Sequence, residues 1–257
     1  MNLFITWNVN PEIFSIGGFS IRWYGLMFVF SFYFGYLIVS RMLRKEGVAE
    51  NMFDKLLTWI IIATIVGARL GHVLFYQPDY YLRHPFEILM IWEGGLASHG
   101  AAIGIIIALW WFARREKIDF WLLTDRIVIA VALAGFFIRM GNLFNSEIIG
   151  KPTTLPWGFI FTRVDNIPRH PAQLYEALAY LLIFLFLFWY YLKEQGKPKR
   201  GELSGWFLIL IFGARIILEF LKEPQVGFEQ SMTFNMGQLL SVPLVIAGMY
   251  FVLRKKE

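Results

Sequence analysis

Seven apolar runs dominate this chain, each about long enough to cross a bilayer core of about 30 Å as a helix of roughly 17–25 residues. They lie near Ile21–Ser40, Leu56–Tyr76, Gly95–Ala113, Ile127–Asn142, Gln173–Leu192, Leu203–Leu221 and Asn235–Leu253. The fourth is the shortest and ends in polar residues. Hydrocarbon offers backbone amides no partner, so such runs are stable only when their hydrogen bonds are internal. The expected fold is therefore all-α, a polytopic membrane protein of about seven spans. Composition agrees: 57% of the 257 residues are apolar and 17% charged, and the mean hydropathy is +0.54. A soluble domain typically carries about 25% charged residues. No Pro/Ser-rich linker, low-complexity tract or internal repeat interrupts the chain, which reads as one membrane domain over 1–257.

The bases between the runs set the orientation. Arg41, Arg44, Lys45 and Lys55 follow the first run, Arg114, Arg115, Lys117 and Arg126 the third, and Lys193, Lys197, Lys199 and Arg200 the fifth. Arg254, Lys255 and Lys256 end the chain, whereas the loops after the second and sixth runs carry only Arg83 and Lys222. Cytoplasmic loops collect Lys and Arg, so the N-terminus is expected outside and the C-terminus in the cytoplasm. The net charge of +5 is thus a topology signal, and a nucleic-acid partner is not expected. The residues through Ser20 lack the basic start of a signal peptide and read as an exposed lead into a retained first helix. Cysteine is absent, which excludes a disulfide or a thiolate of the chain's own.

The loops Gln77–Gly94, Ser146–Ala172 and Lys222–Phe234 are then extracytoplasmic. Pro85–Trp92 reads as a short amphipathic helix at the interface, with Trp92 at headgroup level. Leu155–Thr162 reads as a short strand or a re-entrant piece. The middle loop has bases of its own, Lys151, Arg163 and Arg169, suited to an anion. Small residues over Gly95–Gly104 favour close helix approach.

Ionisable side chains within spans cost at least about 2.5–3.5 kcal/mol each at a helix centre and face cavities or partners. Arg215 and Glu219, four apart, form either a neutralised structural pair or a cationic site oriented by the acid. Arg139, Asn142 and Asn145 recur every three residues, so a helix aligns them, with Glu147 just beyond; a span cap accounts for one such residue but not four. His99 is either a hydrogen-bonding residue at a helix interface or a base, its ordinary pKa being near 6.5. Arg69 and His72 form either a structural network or part of a cavity wall. His170, Gln173, Tyr175 and Glu176 open the fifth run beside Pro171, and capping explains only part of that polarity. Arg139, His99 and the segment from His170 gather toward the outer leaflet, Tyr24 and Arg22 enter from the same side, and Arg215 reaches that level if it lies deeper in its span. Two guanidinium groups in such a setting suit the phosphate of an anionic phospholipid. The residues alone point to a phosphate-handling lipid site open to the outer half of the bilayer. They leave open an enzyme, a lipid or small-anion carrier, and a membrane scaffold, the last of which struggles with so much polarity in the spans.

Several motifs resemble those of the bacterial phosphatidylglycerol–prolipoprotein diacylglyceryl transferases. They are IRWYGLMF around Tyr24, VGARLGHVLFY around Arg69, IWEGGLASHGAAIG around His99, IRMGNLFNSEIIGKPTTLPWGFIF over Arg139–Phe161, HPAQLYEAL around Tyr175, GARIILEFLKEPQ around Arg215 and NMGQLLS at Asn235–Ser241. They occur in order along nearly the whole chain. Two departures stand out: Ile138 and Ser146 occupy positions where the family usually has glycine, which stiffens the backbone but leaves the polar side chains in place.

The resemblance implies an enzyme of the bacterial cytoplasmic (inner) membrane with phosphatidylglycerol and a prolipoprotein signal peptide as substrates. It would move the diacylglyceryl group to the thiol of the lipobox cysteine, forming a thioether and releasing glycerol phosphate as the first step of lipoprotein maturation. No metal or organic cofactor is expected. It supports Arg139, Arg215, His99 and Tyr24 as functional positions without settling which is the base. The expected roles are His99 as base with Tyr24 as partner or relay, Arg139 and Arg215 on the phosphate, and Asn142, Asn145 and Glu147 on glycerol hydroxyls. Glu219 would fix Arg215, and Arg69, His170, Gln173, Tyr175 and Glu176 complete the expected substrate contacts.

Overall fold

The computed structural model describes residues 4–17, 19–224 and 232–254. Lys255 and Lys256 of the basic tail, Gln225 of the Arg215 motif and the middle of the loop after the sixth run lie outside the described residues. The all-α reading holds. The long helices are α1 (Trp23–Lys45), α2 (Asn51–Phe75), α4 (Ser98–Glu116), α5 (Phe120–Asn145), α6 (Ala172–Lys193), α7 (Glu202–Leu218) and α8 (Met236–Leu253), with a short α3 at Pro78–Arg83. Short strands β1 (Ile5–Trp7), β2 (Glu12–Ile16), β3 (Phe19–Arg22), β4 (Phe159–Phe161) and β5 (Pro168–Arg169) lie outside the long helices. Among the described residues, six helices are long and apolar enough to span a membrane: α1, α2, α5, α6, α7 with the turn after it, and α8. The expected count of seven turns on α4, which occupies the place of the third run but opens on Ser98–His99–Gly100 and closes on Arg114, Arg115 and Glu116.

The chain divides into two compact units, Met1–Val39 with Asp125–Glu257, and Ser40–Thr124. In the first, β1 pairs in parallel with β4, and β4 pairs antiparallel with β5. The expected strand within Leu155–Thr162 is thus β4, and the lead segment, expected merely exposed, is structured. Leu143, Phe159 and Phe161 form a small core against Trp7, Met140, Ile149 and Leu174. The Trp7 indole donates to Leu143 O at 3.0 Å, joining this head to the end of α5. β2 and β3 form a hairpin that runs into α1. Below the head, Gly205 and Gly248 let α7 and α8 touch backbone to backbone: a Cβ on Gly248 would stand 2.7 Å from Gly205 O. The α8 N-terminus carries a capping box of Asn235 and Gln238, and the Gln238 amide reaches Ile216 O of α7 at 3.1 Å.

The expected fourth span, Ile127–Asn142, is exceeded at both ends by the 26-residue α5. Arg126, taken as a loop base, is 5% exposed within this helix. It donates to Gly196 O at 2.7 Å and lies over the Tyr191 ring. Its neighbour Asp125 accepts from Gly201 N, Ser204 N and Ser204 Oγ at 2.6–2.9 Å. A carboxylate thereby satisfies the open amides at the start of α7 and complements its dipole. These partners lie about 70 residues away in sequence, which is why local reading began the span too late.

In the second unit, α2 and α4 approach through glycines. A Cβ on Gly71 would stand 2.6 Å from Gly100 Cα, and one on Gly104 would stand 2.6 Å from Ala63 O. This is the close packing expected of the small-residue run. The amphipathic helix expected at Pro85–Trp92 is instead two 3₁₀ turns, Pro85–Leu89 and Ile91–Glu93, separated at Met90. The reason is Arg69, which donates to Glu87 O and Ile88 O. Those carbonyls would accept from Ile91 and Trp92 in a continuing α-helix. Leu82, Phe86, Leu89 and Trp92 remain exposed.

Candidate functional site

The chemistry of the first unit concentrates where α5, α6, α7 and the turn after α7 contribute charges to one partly buried series. Helical spacing on the last turns of α5 sets Arg139 beside Asn142, and the Arg139 guanidinium donates to Asn142 Oδ1 at 3.2 Å. The Asn142 and Asn145 amides both donate to the Glu147 carboxylate, at 3.3 and 3.1 Å. The Tyr24 ring lies against Gly141, where a Cβ would come within 2.7 Å of it, and its phenol borders Asn142, Arg139 and Glu147. From α6, Gln173 donates to Glu147 O, and Glu176 meets Arg139 Nε at 3.1 Å. Gln173 and Glu176 are fully buried. Pro171 is the N-cap of α6 and no side chain caps it, so this polarity faces the site rather than the helix end.

Sequence reasoning missed the centre of the cluster. Lys222, counted as a base of an outer loop, is buried and lies 3.0 Å from both Glu176 Oε1 and Glu219 Oε2. Glu219 belongs to a 3₁₀ turn after α7. Its approach to Arg215 is looser than a helical i,i+4 pair implies, 3.9 Å from Nε. The result is an alternating series Arg139–Glu176–Lys222–Glu219–Arg215, three cations against two carboxylates. Arg215 Nε is buried without a hydrogen-bond partner among the described residues. Tyr180, one helical turn beyond Glu176, hydrogen-bonds Glu176 at 3.5 Å and borders Arg139. The spacings Glu219–Lys222 and Glu176–Tyr180 were the available signals.

The loop 146–172 carries Lys222 into place. Gly150 bridges to Lys222, Lys151 N donates to Leu221 O at 2.8 Å, and Glu223 N donates to Ile149 O at 3.2 Å. A Cβ on Gly150 would stand 2.5 Å from His170 O and 2.9 Å from Leu221 O, so only glycine permits this three-way approach. Ser146 and Ile148, flanking Glu147, have φ of 57° and 56°. The left-handed region is unfavourable for a serine and an outlier for a β-branched residue. Such backbone strain concentrates at functional sites. Ser146 is one of the positions noted above as differing from glycine.

Elsewhere in the loop, Arg169 is engaged by Asp165 at 2.6 Å and Glu223 at 2.8 Å. It holds the Asp165 carboxyl below the usual carboxylate range, and its own pKa is raised in turn. His170 contacts the Tyr175 hydroxyl at 3.3 Å, which also accepts from the Trp157 indole at 2.9 Å. Burial lowers the His170 pKa.

His99 and Arg69 belong to the second unit. His99 is exposed on the first turn of α4, its ring against Phe75 and Tyr76. Arg69 is 4% exposed, with donors engaged by the carbonyls of Glu87, Ile88, Gly94 and Gly95 and its plane over Tyr81. The His72 ring stacks on Tyr76.

The profile of the prolipoprotein diacylglyceryl transferase family matches residues 11–254. The phosphatidylglycerol–prolipoprotein diacylglyceryl transferase of Tolumonas auensis is 48% identical over 248 residues, 96% of each chain. That of Bacteroides fragilis is 45% identical over 262 residues, 97% of this chain and 95% of the relative. That of Chloroherpeton thalassium is 45% identical over 251 residues, 97% and 93% of the two chains. This chain belongs to the prolipoprotein diacylglyceryl transferase family.

Proposed function

We propose that this chain transfers the diacylglyceryl group of phosphatidylglycerol to prolipoprotein, the first step of lipoprotein maturation, with the Arg139–Arg215 series as its phosphate site. The observation that carries the site assignment is charge: three cations, of which Lys222 is buried and Arg139 and Arg215 are partly exposed, face two buried carboxylates, leaving one positive charge over, and Arg215 Nε has no hydrogen-bond partner among the described residues. A phosphodiester brings one negative charge. Guanidinium binds it by parallel hydrogen bonds and remains charged throughout.

In this reading the acceptor is the lipobox cysteine. Its thiolate attacks the glycerol carbon that bears the phosphate, the S–C bond forms, and the C–O bond breaks with its electron pair passing to departing glycerol phosphate. A free thiol has a pKa near 8.5 and is only about a few per cent ionised at neutral pH. General-base help at that point is worth roughly 10²–10⁴-fold. His99 takes this role on the motif resemblance, with Tyr24 as relay. Asn142, Asn145 and Glu147 hold glycerol hydroxyls. The chain works in the bacterial inner membrane with seven spans, α4 included, its N-terminus outside.

The test uses the purified protein, phosphatidylglycerol vesicles and a lipobox peptide, and reads thioether formation and glycerol phosphate release together. Arg139→Gln and Arg215→Gln each lower the rate by about 10²–10³, the usual cost of one electrostatic donor. A double variant that stays folded and transfers at the parental rate would remove the site from this role. His99→Gln at the parental rate would remove His99 alone.

A further inference from the structure

An open cleft of about 640 Å³ lies in the first unit beside Glu147, within the range of about 300–1,000 Å³ typical of ligand sites. It begins where the charge series ends, since Glu147 is tied through Asn142 to Arg139 and also forms the cleft wall. Two asparagines on the segment after β1 line it. Asn8 Oδ1 accepts from the Thr162 hydroxyl at 3.0 Å, and Asn10 Oδ1 accepts from Glu12 N at 3.0 Å. Both asparagines are exposed, and each amide is oriented by its oxygen, so that its NH₂, which has no partner among the described residues, faces the open cleft and solvent. Such donors match peptide carbonyls, the one group every residue of a polypeptide repeats.

Charge separates the possible occupants. Arg22 and Arg163 line the cleft together with Glu12 and Glu147, and Arg22 is already paired to Glu12 at 3.4 Å. Two charges of each sign cancel, which gives a free phosphate monoester no net attraction. A neutral backbone with varied side chains is accommodated instead. Resting on the functional reading above, we propose that this cleft binds the extended stretch of the acceptor polypeptide that follows its acceptor cysteine, through backbone carbonyls on the Asn8 and Asn10 amides. The cysteine must reach the phosphate site while the rest of the chain leaves it, and the cleft is the open polar path adjoining Glu147.

Two acceptor peptides test this, identical through the cysteine, one ending there as an amide and the other continuing for several residues. The longer peptide has the lower KM with the parent, by about fivefold to tenfold, the value of one or two net hydrogen bonds. Asn8→Asp combined with Asn10→Asp keeps the accepting oxygens and removes both donors. In that variant the length advantage falls to within about twofold, while kcat and the KM for phosphatidylglycerol measured with the short peptide are unchanged. Equal KM values for both peptides in the parent, or a full length advantage in the variant, would overturn the proposal. So would a variant whose only change is weaker inhibition by added glycerol phosphate, which would make the cleft an anion site. Fluorescence anisotropy of the labelled long peptide separates the two readings: binding that needs Asn8 and Asn10 without any transfer refutes the enzymatic reading and leaves the cleft assignment standing.

Discussion

Replacing Lys222 by methionine removes the buried central cation of the series and leaves Glu176 and Glu219 facing the space it filled. The ammonium lies 3.0 Å from each carboxylate, and its side chain is 4% exposed. Breaking a buried pair from one side costs about 3–5 kcal/mol, because the uncompensated charge stays behind. For a chain of this size each kcal/mol moves the melting temperature by roughly 2–4 °C, so Lys222→Met melts about 6–20 °C below the parent in detergent. Glu219→Gln alone costs less, since Lys222 keeps Glu176. Combining the two changes removes one charge of each sign and preserves the Arg139–Glu176 pair. The double variant therefore melts higher than the sum of the singles, by a coupling of about 0.5–3 kcal/mol. Activity gives a second readout. With Lys222 gone, Glu219 turns to Arg215, now 3.9 Å away, and the KM for phosphatidylglycerol rises, whereas Lys222→Arg retains most of the charge balance. A Lys222→Met protein melting within about 2 °C of the parent, or strictly additive singles, would refute the reasoning.

Ser146→Gly relieves a left-handed serine whose buried hydroxyl has no partner among the described residues. The strain is worth about 1–2 kcal/mol and glycine's unfolded freedom offsets about 0.5–1, leaving about 0.5–1, so differential scanning should find a melting rise of about 1–4 °C; no rise would refute the strain. Asp125→Asn weakens the cap on α7 by about 1–2 kcal/mol, seen as a lower melting temperature, and Asp125→Ala costs more because three donors lose their acceptor. The Asp165 carboxyl, held low by Arg169, binds a proton more weakly folded than unfolded. Its stabilisation is full above the ordinary carboxylate pKa near 3.9 and lost as pH falls through the lowered folded value. The melting advantage of the parent over Asp165→Asn should be flat at neutral pH and shrink only below about pH 4; loss beginning near pH 6 would refute the pairing.

The parts of this protein legible in its sequence are those governed by local periodicity. Apolar length located the long helices, and the three-residue spacing of Arg139, Asn142 and Asn145 placed them on one face of α5. The small residues near Gly100 and Gly104 foretold the tight packing on α2. Distance along the chain hid the rest. β1 pairs with β4 across about 150 residues, Ile5 opposite Phe159, and three-residue strands carry no alternation strong enough to detect. Arg69 converts an expected helix into two turns by taking carbonyls 18 and 19 residues away. Lys222 looks like a loop base until Gly150 and Lys151 pair with its segment. The polarity of HPAQLYE was visible, but its direction became clear only when Pro171 proved to be the cap.

The two carboxylates inside a site read as anion-binding follow from the charge the reaction develops. Three cations without these acids would repel one another and already grip the phosphodiester strongly before transfer begins. Glu176 and Glu219 engage Lys222 fully and Arg139 in part, which leaves Arg215 as the least committed cation. The phosphodiester arrives with one negative charge, and glycerol phosphate departs with about 1.5 to 2 at neutral pH. Binding that favours the ground state and the transition state equally does not accelerate transfer; the useful interaction is the one that strengthens as the C–O bond breaks. In the proposed site, the unpartnered Nε of Arg215 would be the donor still available at that moment, so losing Arg215 should depress kcat more than it raises the KM for phosphatidylglycerol. Losing Arg139, already bonded to Asn142 and paired with Glu176, should disturb both.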